Sequence, residues 1–270
     1  MKLRRVLVRL AVMLLGVVVL VGALFLAQFP LNARRVPDWA GALAIAAIAL
    51  AVYALYERYV ERRAPTEIGG RGLVSFSVIG TLAGVLLFAA SFGLIAAFGA
   101  VENLHFNSWS GIGPVFLGIA AAALVEELIF RGFLFRTVRD LGGTWVGVGI
   151  SALVFGAVHA FNPGATPAST VAIALEAGIL LALAYAVANS LWLPAGIHLG
   201  WNFAESAIFG TAVSGHHVGA TVLTAELQGP NVLTGGAFGP EASLPALVVC
   251  LTASAFLAGV LHRRERKRRA

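Results

Sequence analysis

Three short patterns in the middle of the chain bring together residue types that hydrolyse amides. In Val125-Glu126-Glu127-Leu128-Ile129-Phe130-Arg131, Glu127 and Arg131 stand four apart on one helical face with the acid first, the favourable order for an ion pair. Glu126 is left without a local partner. On a helix of about 3.6 residues per turn it is turned by about 100° from its neighbour, towards a side where a free carboxylate can serve as a general base. Phe155 precedes His159 by four, which sets an aromatic ring beside the imidazole on the same face. In His198-Leu199-Gly200-Trp201-Asn202, an imidazole and an amide share a face at that same spacing, and both can donate to an oxyanion.

Taken singly, each pattern has a plainer reading. The two glutamates can pair with Arg131 and a snorkelling Arg136 near an interface, a histidine at a helix end can cap it, and His and Asn side chains hold helices together in membrane bundles. Taken together, two carboxylates, two histidines and an amide on three helices fit amide hydrolysis, with a carboxylate and a histidine activating water while a second histidine and the amide hold the tetrahedral oxyanion. A metal site fits as well. Glu126, His159 and His198 are candidates to ligate zinc or another divalent metal with a position open for water, and the residues leave metal and metal-free chemistry both open.

The elements that must position these residues are membrane helices. Hydrophobic residues make up 59% of the 270-residue chain and charged ones 12%, with a mean hydropathy of +0.88; 13 acidic and 19 basic residues cannot coat a water-soluble fold of this size. A hydrocarbon core about 30 Å thick needs roughly 20 helical residues. Apolar runs near that length lie at about 6–29, 39–56, 73–98, 113–135, 146–160, 170–188, from the Asn189-Ser190 and Pro194 connection to about 209, and at 244–261. The expectation is an all-α polytopic transmembrane bundle of about eight spans, a single integral membrane domain over 1–270 with its motif-bearing core at about 113–209. The stretch at about 210–243, rich in Gly, Thr and Pro, reads as the one long non-helical connection, on the outer side.

Charge sets the expected topology. The net charge of +6 does not point to nucleic acid, because the basic residues sit at the chain ends and in short connections. Lys2, Arg4, Arg5 and Arg9 open the first run as in a signal peptide, but its apolar core exceeds the roughly 7–15 residues of one. With a basic tail at 262–270, the positive-inside rule puts both termini in the cytoplasm of a cell-membrane protein and makes the number of spans even. Arg58, Arg62, Arg63 and Arg71 fall on that side, as do Arg131, Arg136 and Arg139; Arg34 and Arg35 run against the rule. Cys250 is the one cysteine, which excludes an intrachain disulfide and a cysteine-ligated metal cluster.

The three patterns resemble those of the CAAX-prenyl-protease and bacteriocin-processing family of intramembrane peptidases. Glu126, Glu127 and Arg131 reproduce its EExxxR, Phe155 and His159 its FxxxH, and His198 and Asn202 its HxxxN, in the same order; Ser190-Leu191-Trp192 with Pro194 is similar to its approach to the third motif. The resemblance implies an eight-helix fold whose motif residues line a cavity open towards the cytoplasmic side. It implies that Glu126 and His159 activate water, that His198 and Asn202 form the oxyanion site, and that Glu127, Arg131 and Phe155 support them. It also implies a peptide or lipidated-protein substrate presented from membrane lipid. The segment Leu233–Glu241 is similar to a loop of some bacterial members, and its glycines suggest tight turns packed over the outer face.

Glu176 departs from the family's pattern, where an apolar or amide residue is expected; an acid at membrane depth is either a functional group or a neutral packing partner. His216 and His217, in the outer loop, read as solvated and stay outside the site. There is no HExxH and no GxSxG, which removes the commonest zinc-protease and serine-hydrolase classes. Two rivals remain, a non-catalytic scaffold or immunity protein and a proton- or ion-coupled transporter. The transporter would favour inverted repeats and paired broken helices, which the sequence lacks.

Overall fold

The structure, a computed structural model, describes residues 2–33, 36–70 and 72–269. Arg34, Arg35 and Arg71, which entered the charge reading, lie outside them. The chain runs through α1 (Lys2–Ala33), α2 (Asp38–Tyr59), α3 (Leu73–Ala97), α4 (Ile112–Gly142), α5 (Thr144–His159), α6 (Pro167–Ala188), α7 (Trp192–Asn202, prolonged by Phe203–Ile208) and α8 (Leu244–Arg269). An all-α polytopic bundle is what this sequence forms, because in lipid only a helix satisfies every backbone polar group within one segment.

The span count is corrected. Among the described residues six helices are long and apolar enough to cross a membrane, namely α1 to α4, α6 and α8, against the expected eight or so. The physical reason is length. Helix α5 has 16 residues, and at about 1.5 Å per residue it reaches about 24 Å, short of a hydrocarbon core of about 30 Å. Helix α7 has 11 residues before it widens. Both nonetheless run between the two ends of the bundle, α5 from the end of α4 to the start of α6 and α7 from the end of α6 to the 210–243 connection.

Breaks fall where the backbone requires them. Gly143, at φ 89°, separates α4 from α5, and Asn189 ends α6 in the left-handed conformation at φ 50°. Helix α6 starts at a capping box: the Thr166 hydroxyl accepts from the Ser169 N–H at 3.1 Å, while the Thr166 N–H donates to the Ser169 hydroxyl at 2.7 Å, and Pro167 takes the first helical position.

One end of the bundle is a layer of ion pairs. Arg9 of α1 reaches Glu61 at 2.8 Å and Asp140 at 3.5 Å, Arg136 reaches Glu57 at 2.8 Å, and Arg63 pairs with Glu57 and Glu67. Arg264 of α8 donates to the Val187 carbonyl at 2.6 Å. The start of α1 and the ends of α2, α4, α6 and α8 therefore share this face, with both termini. At the opposite end, β1 (Val101–Phe106) and β2 (Leu223–Leu227) form a two-stranded antiparallel ribbon in which Leu104 faces Ala225. The 210–243 connection is thus not featureless: it contains β2, a helical turn at Asn231–Thr234 and a 3-10 turn at Pro240–Ala242.

The tightest crossing is that of α3 on α7. Gly80 and Gly84 meet Gly196, Ile197 and Trp201, and Gly196 and Gly200 meet Ser77, Gly80 and Thr81, so closely that a Cβ on any of the four glycines would run into backbone of the facing helix. Small residues spaced by four on both partners let membrane helices approach to backbone contact. Phe88 then closes edge-on against Trp201 at 5.3 Å. This contact fixes the rotation of α7, and with it the directions of His198 and Asn202.

Candidate active site

The EExxxR pair forms as its spacing predicts. Arg131 donates to Glu127 at 2.8 Å with both side chains fully buried, and its other nitrogen reaches the Gly178 carbonyl of α6 at 3.3 Å. The guanidinium also lies 4.6 Å above the Phe155 ring, a cation–π contact that ties α4 to α5. Glu127 has a second partner, since its Oε1 stands 3.1 Å from His198 Nδ1. A carboxylate only accepts here, so Nδ1 carries the proton, and Nε2 is left towards Glu126 Oε2 at 3.9 Å. One buried acid therefore orients both the arginine and the histidine.

His159 is held in the same manner by a backbone group. Its Nδ1 is 2.7 Å from the Phe155 carbonyl, which cannot donate, so in the neutral ring Nε2 is the free base. The Phe155 ring packs on it at 4.6 Å and lies 6.1 Å from the His198 ring. Glu126, on the adjacent face of α4, has an Oε2 that is buried and has no hydrogen-bond partner among the described residues.

These groups share one cavity of about 410 Å³, lined by Glu126, His159, His198 and Asn202 with apolar walls from Phe130, Ile173 and Ile197. The structure thus gathers all four proposed catalytic residues, and Glu127, Arg131 and Phe155 stand immediately behind them. Three helical stretches around the site widen into a π turn, Leu128–Phe135 in α4, Ala174–Gly178 in α6 and Phe203–Ile208 after α7, whereas α5, which bears Phe155 and His159, stays α-helical. Such widenings shift the register of side chains and recur at functional sites.

Several lining residues are absent from the motif reading. Glu176 and Cys250 face the cavity, as do Ser214 and Glu241 from the 210–243 connection. Phe238 of that connection is buried against Phe130, Phe155 and Ile173, so the segment around Leu233–Glu241 plugs into the bundle instead of lying over its outer face. Glu205, buried behind Trp201 and Glu241, was not singled out at all; its spacing of four from Trp201 was the available signal. His216 and His217 are both exposed, with His216 at the cavity's rim.

The position of the cavity along the bundle bears on two expectations at once. The cavity is lined by the end of α5, the start of α6, the start of α8 and the 210–243 connection, all at the end away from the Arg9, Glu61 and Asp140 pairs. Termini and cavity mouth lie on opposite faces, so cytoplasmic termini and a cytoplasmic opening cannot both hold. The implied opening came with the resemblance, whereas the terminal placement came from this chain's own charges.

Among the described residues no group of three or more His, Cys, Asp or Glu side chains is arranged to hold a metal ion. His198 Nδ1 is bonded to Glu127, which leaves Nε2, 3.9 Å from Glu126 Oε2, as its free nitrogen. No step below runs through a metal.

A polytopic helical bundle that sets acids, two oriented imidazoles and an amide around one cavity has the groups that amide hydrolysis requires. Residues 107–204 match the family described as Rce1-like, type II CAAX prenyl endopeptidase. The match contains all three motifs and agrees with the resemblance drawn from them. No curated protein and no solved structure is significantly similar to the chain.

Proposed function

We propose that this protein is an intramembrane endopeptidase that hydrolyses a peptide bond of a membrane-associated substrate, with water activated by Glu126 and His159. The observation that carries the reading is the Glu126 Oε2 atom, buried without a partner in a cavity shared with His159, His198 and Asn202. A water between Glu126 and His159 Nε2 loses a proton to Glu126 as its oxygen adds to the carbonyl carbon. The resulting oxyanion is taken by the Asn202 amide and by His198 carrying a second proton on Nε2, since its Nδ1–H is bonded to Glu127. Collapse breaks the C–N bond, and the amine leaves with the proton held by Glu126. Glu127 acts through others, fixing the His198 ring and neutralising Arg131.

The basic tail argues for cytoplasmic termini, and the cavity then admits substrate from the outer side of the membrane. A segment of peptide or lipidated protein lying in lipid beside the outer leaflet reaches it without crossing. The test is cleavage of a quenched-fluorescence peptide library by detergent-purified protein, with wild type set against Glu126→Gln and His159→Ala, each with and without a chelator. Cleavage by wild type and loss in both variants supports the reading. Cleavage that survives Glu126→Gln, or none by wild type across a broad library, overturns it. Loss on chelation would show that a metal takes part in the reaction.

A further inference from the structure

The cavity holds more acid than the proposed reaction uses. Glu176, on the π turn of α6, lines it with 1% of its surface exposed, and its Oε2 has no hydrogen-bond partner among the described residues. Glu241 faces the same space from the 3-10 turn. Its Oε1 accepts from the Ser214 N–H at 2.6 Å and from the Ser214 hydroxyl at 2.7 Å. Behind them Glu205 is fully committed, taking the Trp201 indole N–H at 2.9 Å on Oε2 and the Glu241 backbone N–H at 3.0 Å on Oε1. Glu205 braces the turn, and Glu176 and Glu241 are left on the cavity wall.

No lysine or arginine is among the residues that line this space. Buried carboxylates are costly unless a cation or several donors meet them, and the bundle supplies too few. A metal does not supply the missing charge, since the acids are not grouped to hold one. An organic cation needs no such convergence. An ammonium carries three donors on a flexible stem and a guanidinium five in a planar fork, and either bridges acceptors set well apart.

We propose that Glu176 and Glu241 form a subsite for a cationic group of the peptide substrate, a lysine or arginine side chain or an amino terminus, with its aliphatic stem against Leu180, Leu181 and Ile197. Glu176 and Glu241 line the same cavity as His198 and Asn202, so the subsite adjoins the proposed reacting centre. The inference rests on the peptidase reading only in naming a peptide as the bearer of the cation.

The test measures binding without turnover. Full-length protein carrying Glu126→Gln is titrated with fluorescein-labelled peptides in which lysine, arginine or norleucine is walked through each position, in amino-terminally acetylated and free-amine sets. Lysine or arginine at one position, or the free amine, should tighten binding at least about 10-fold over norleucine or acetyl, as expected for hydrogen bonds to charged groups. Adding Glu176→Gln or Glu241→Gln should abolish that gain while norleucine peptides stay within about twofold, because the apolar contacts remain. Which set shows the gain identifies the side chain or the terminus as the source.

Equal affinity for lysine and norleucine at every position, with no free-amine effect, would overturn the subsite, as would a preference that survives both substitutions. Each variant is checked by its thermal transition in detergent, and the two acids serve as independent tests if one variant fails to fold. A protein that cuts no peptide yet shows the Glu176-dependent gain keeps the subsite and loses the peptidase reading. One that cuts peptides without charge preference loses only the subsite.

Discussion

At the scale of single residues, two adjacent glutamates have opposite roles because they face different neighbours. Glu127 has Arg131 at 2.8 Å and His198 at 3.1 Å, all within the protein interior. Glu127→Leu leaves the Arg131 guanidinium buried and unpaired, and stability in detergent should fall by about 3–5 kcal/mol, read as an earlier unfolding transition. Glu126 has no such partner, so Glu126→Gln should leave that transition in place while lowering cleavage by about 10²–10⁴-fold, the range of a general base. If instead the two variants unfold alike, Glu126 is a structural acid. Asn202→Ala should lower kcat by about 10²–10³-fold with little change in KM, the signature of an oxyanion donor.

At the scale of elements, the site is positioned by two devices that carry no chemistry. The first is the set of π turns in α4, α6 and after α7, which no periodicity of 3.6 anticipates. The second is the glycine crossing of α3 on α7. A leucine at Gly200 would drive its side chain into the Thr81 backbone, and overpacking of this kind costs about 1–3 kcal/mol or more. Gly200→Leu should therefore lower the thermal transition and reduce cleavage together. Gly22→Leu, at a position in α1 with open space around it, should change neither. A Gly200→Leu protein with wild-type activity would show that α7 is not held by this contact.

At the scale of the whole molecule, the ion-paired face and the cavity mouth lie at opposite ends of the bundle. Single cysteines introduced in a Cys250→Ala background should settle which end faces which compartment. Cysteine at exposed Asn103 should react with an impermeant maleimide on intact cells, and cysteine at exposed His262 only after permeabilisation. The reverse pattern would put the cavity mouth in the cytoplasm. The 210–243 connection also brings a titrating group: burial pushes the Glu241 carboxyl up from 4.5 to about 7, against the lowering effect of Ser214. A carboxyl raised in the folded state favours folding while protonated, and that contribution is lost as pH rises through the folded value. Wild type should thus lose stability relative to Glu241→Gln as pH rises from 4.5 to about 7, as measured by thermal unfolding at each pH.

The residue order by itself determined that the protein is a helical membrane bundle, because 59% hydrophobic content with so few charges leaves lipid as the only solvent. It also determined the Glu127–Arg131 pair and the grouping of Glu126, His159, His198 and Asn202, since polar residues at membrane depth are costly enough to stand out against an apolar background. Hydropathy counts apolar length but not what covers it, so α5 and α7 read as full spans although they are short helices. The partners of Glu127 beyond its own turn, the entry of Phe238 and Glu241 into the bundle and the side on which the cavity opens depend on contacts between residues far apart in sequence. Among these is Glu241 meeting Ser214 and Glu205. Those contacts have no periodic signature, because they are set by how helices pack and where a loop returns, and only the tertiary structure decided them.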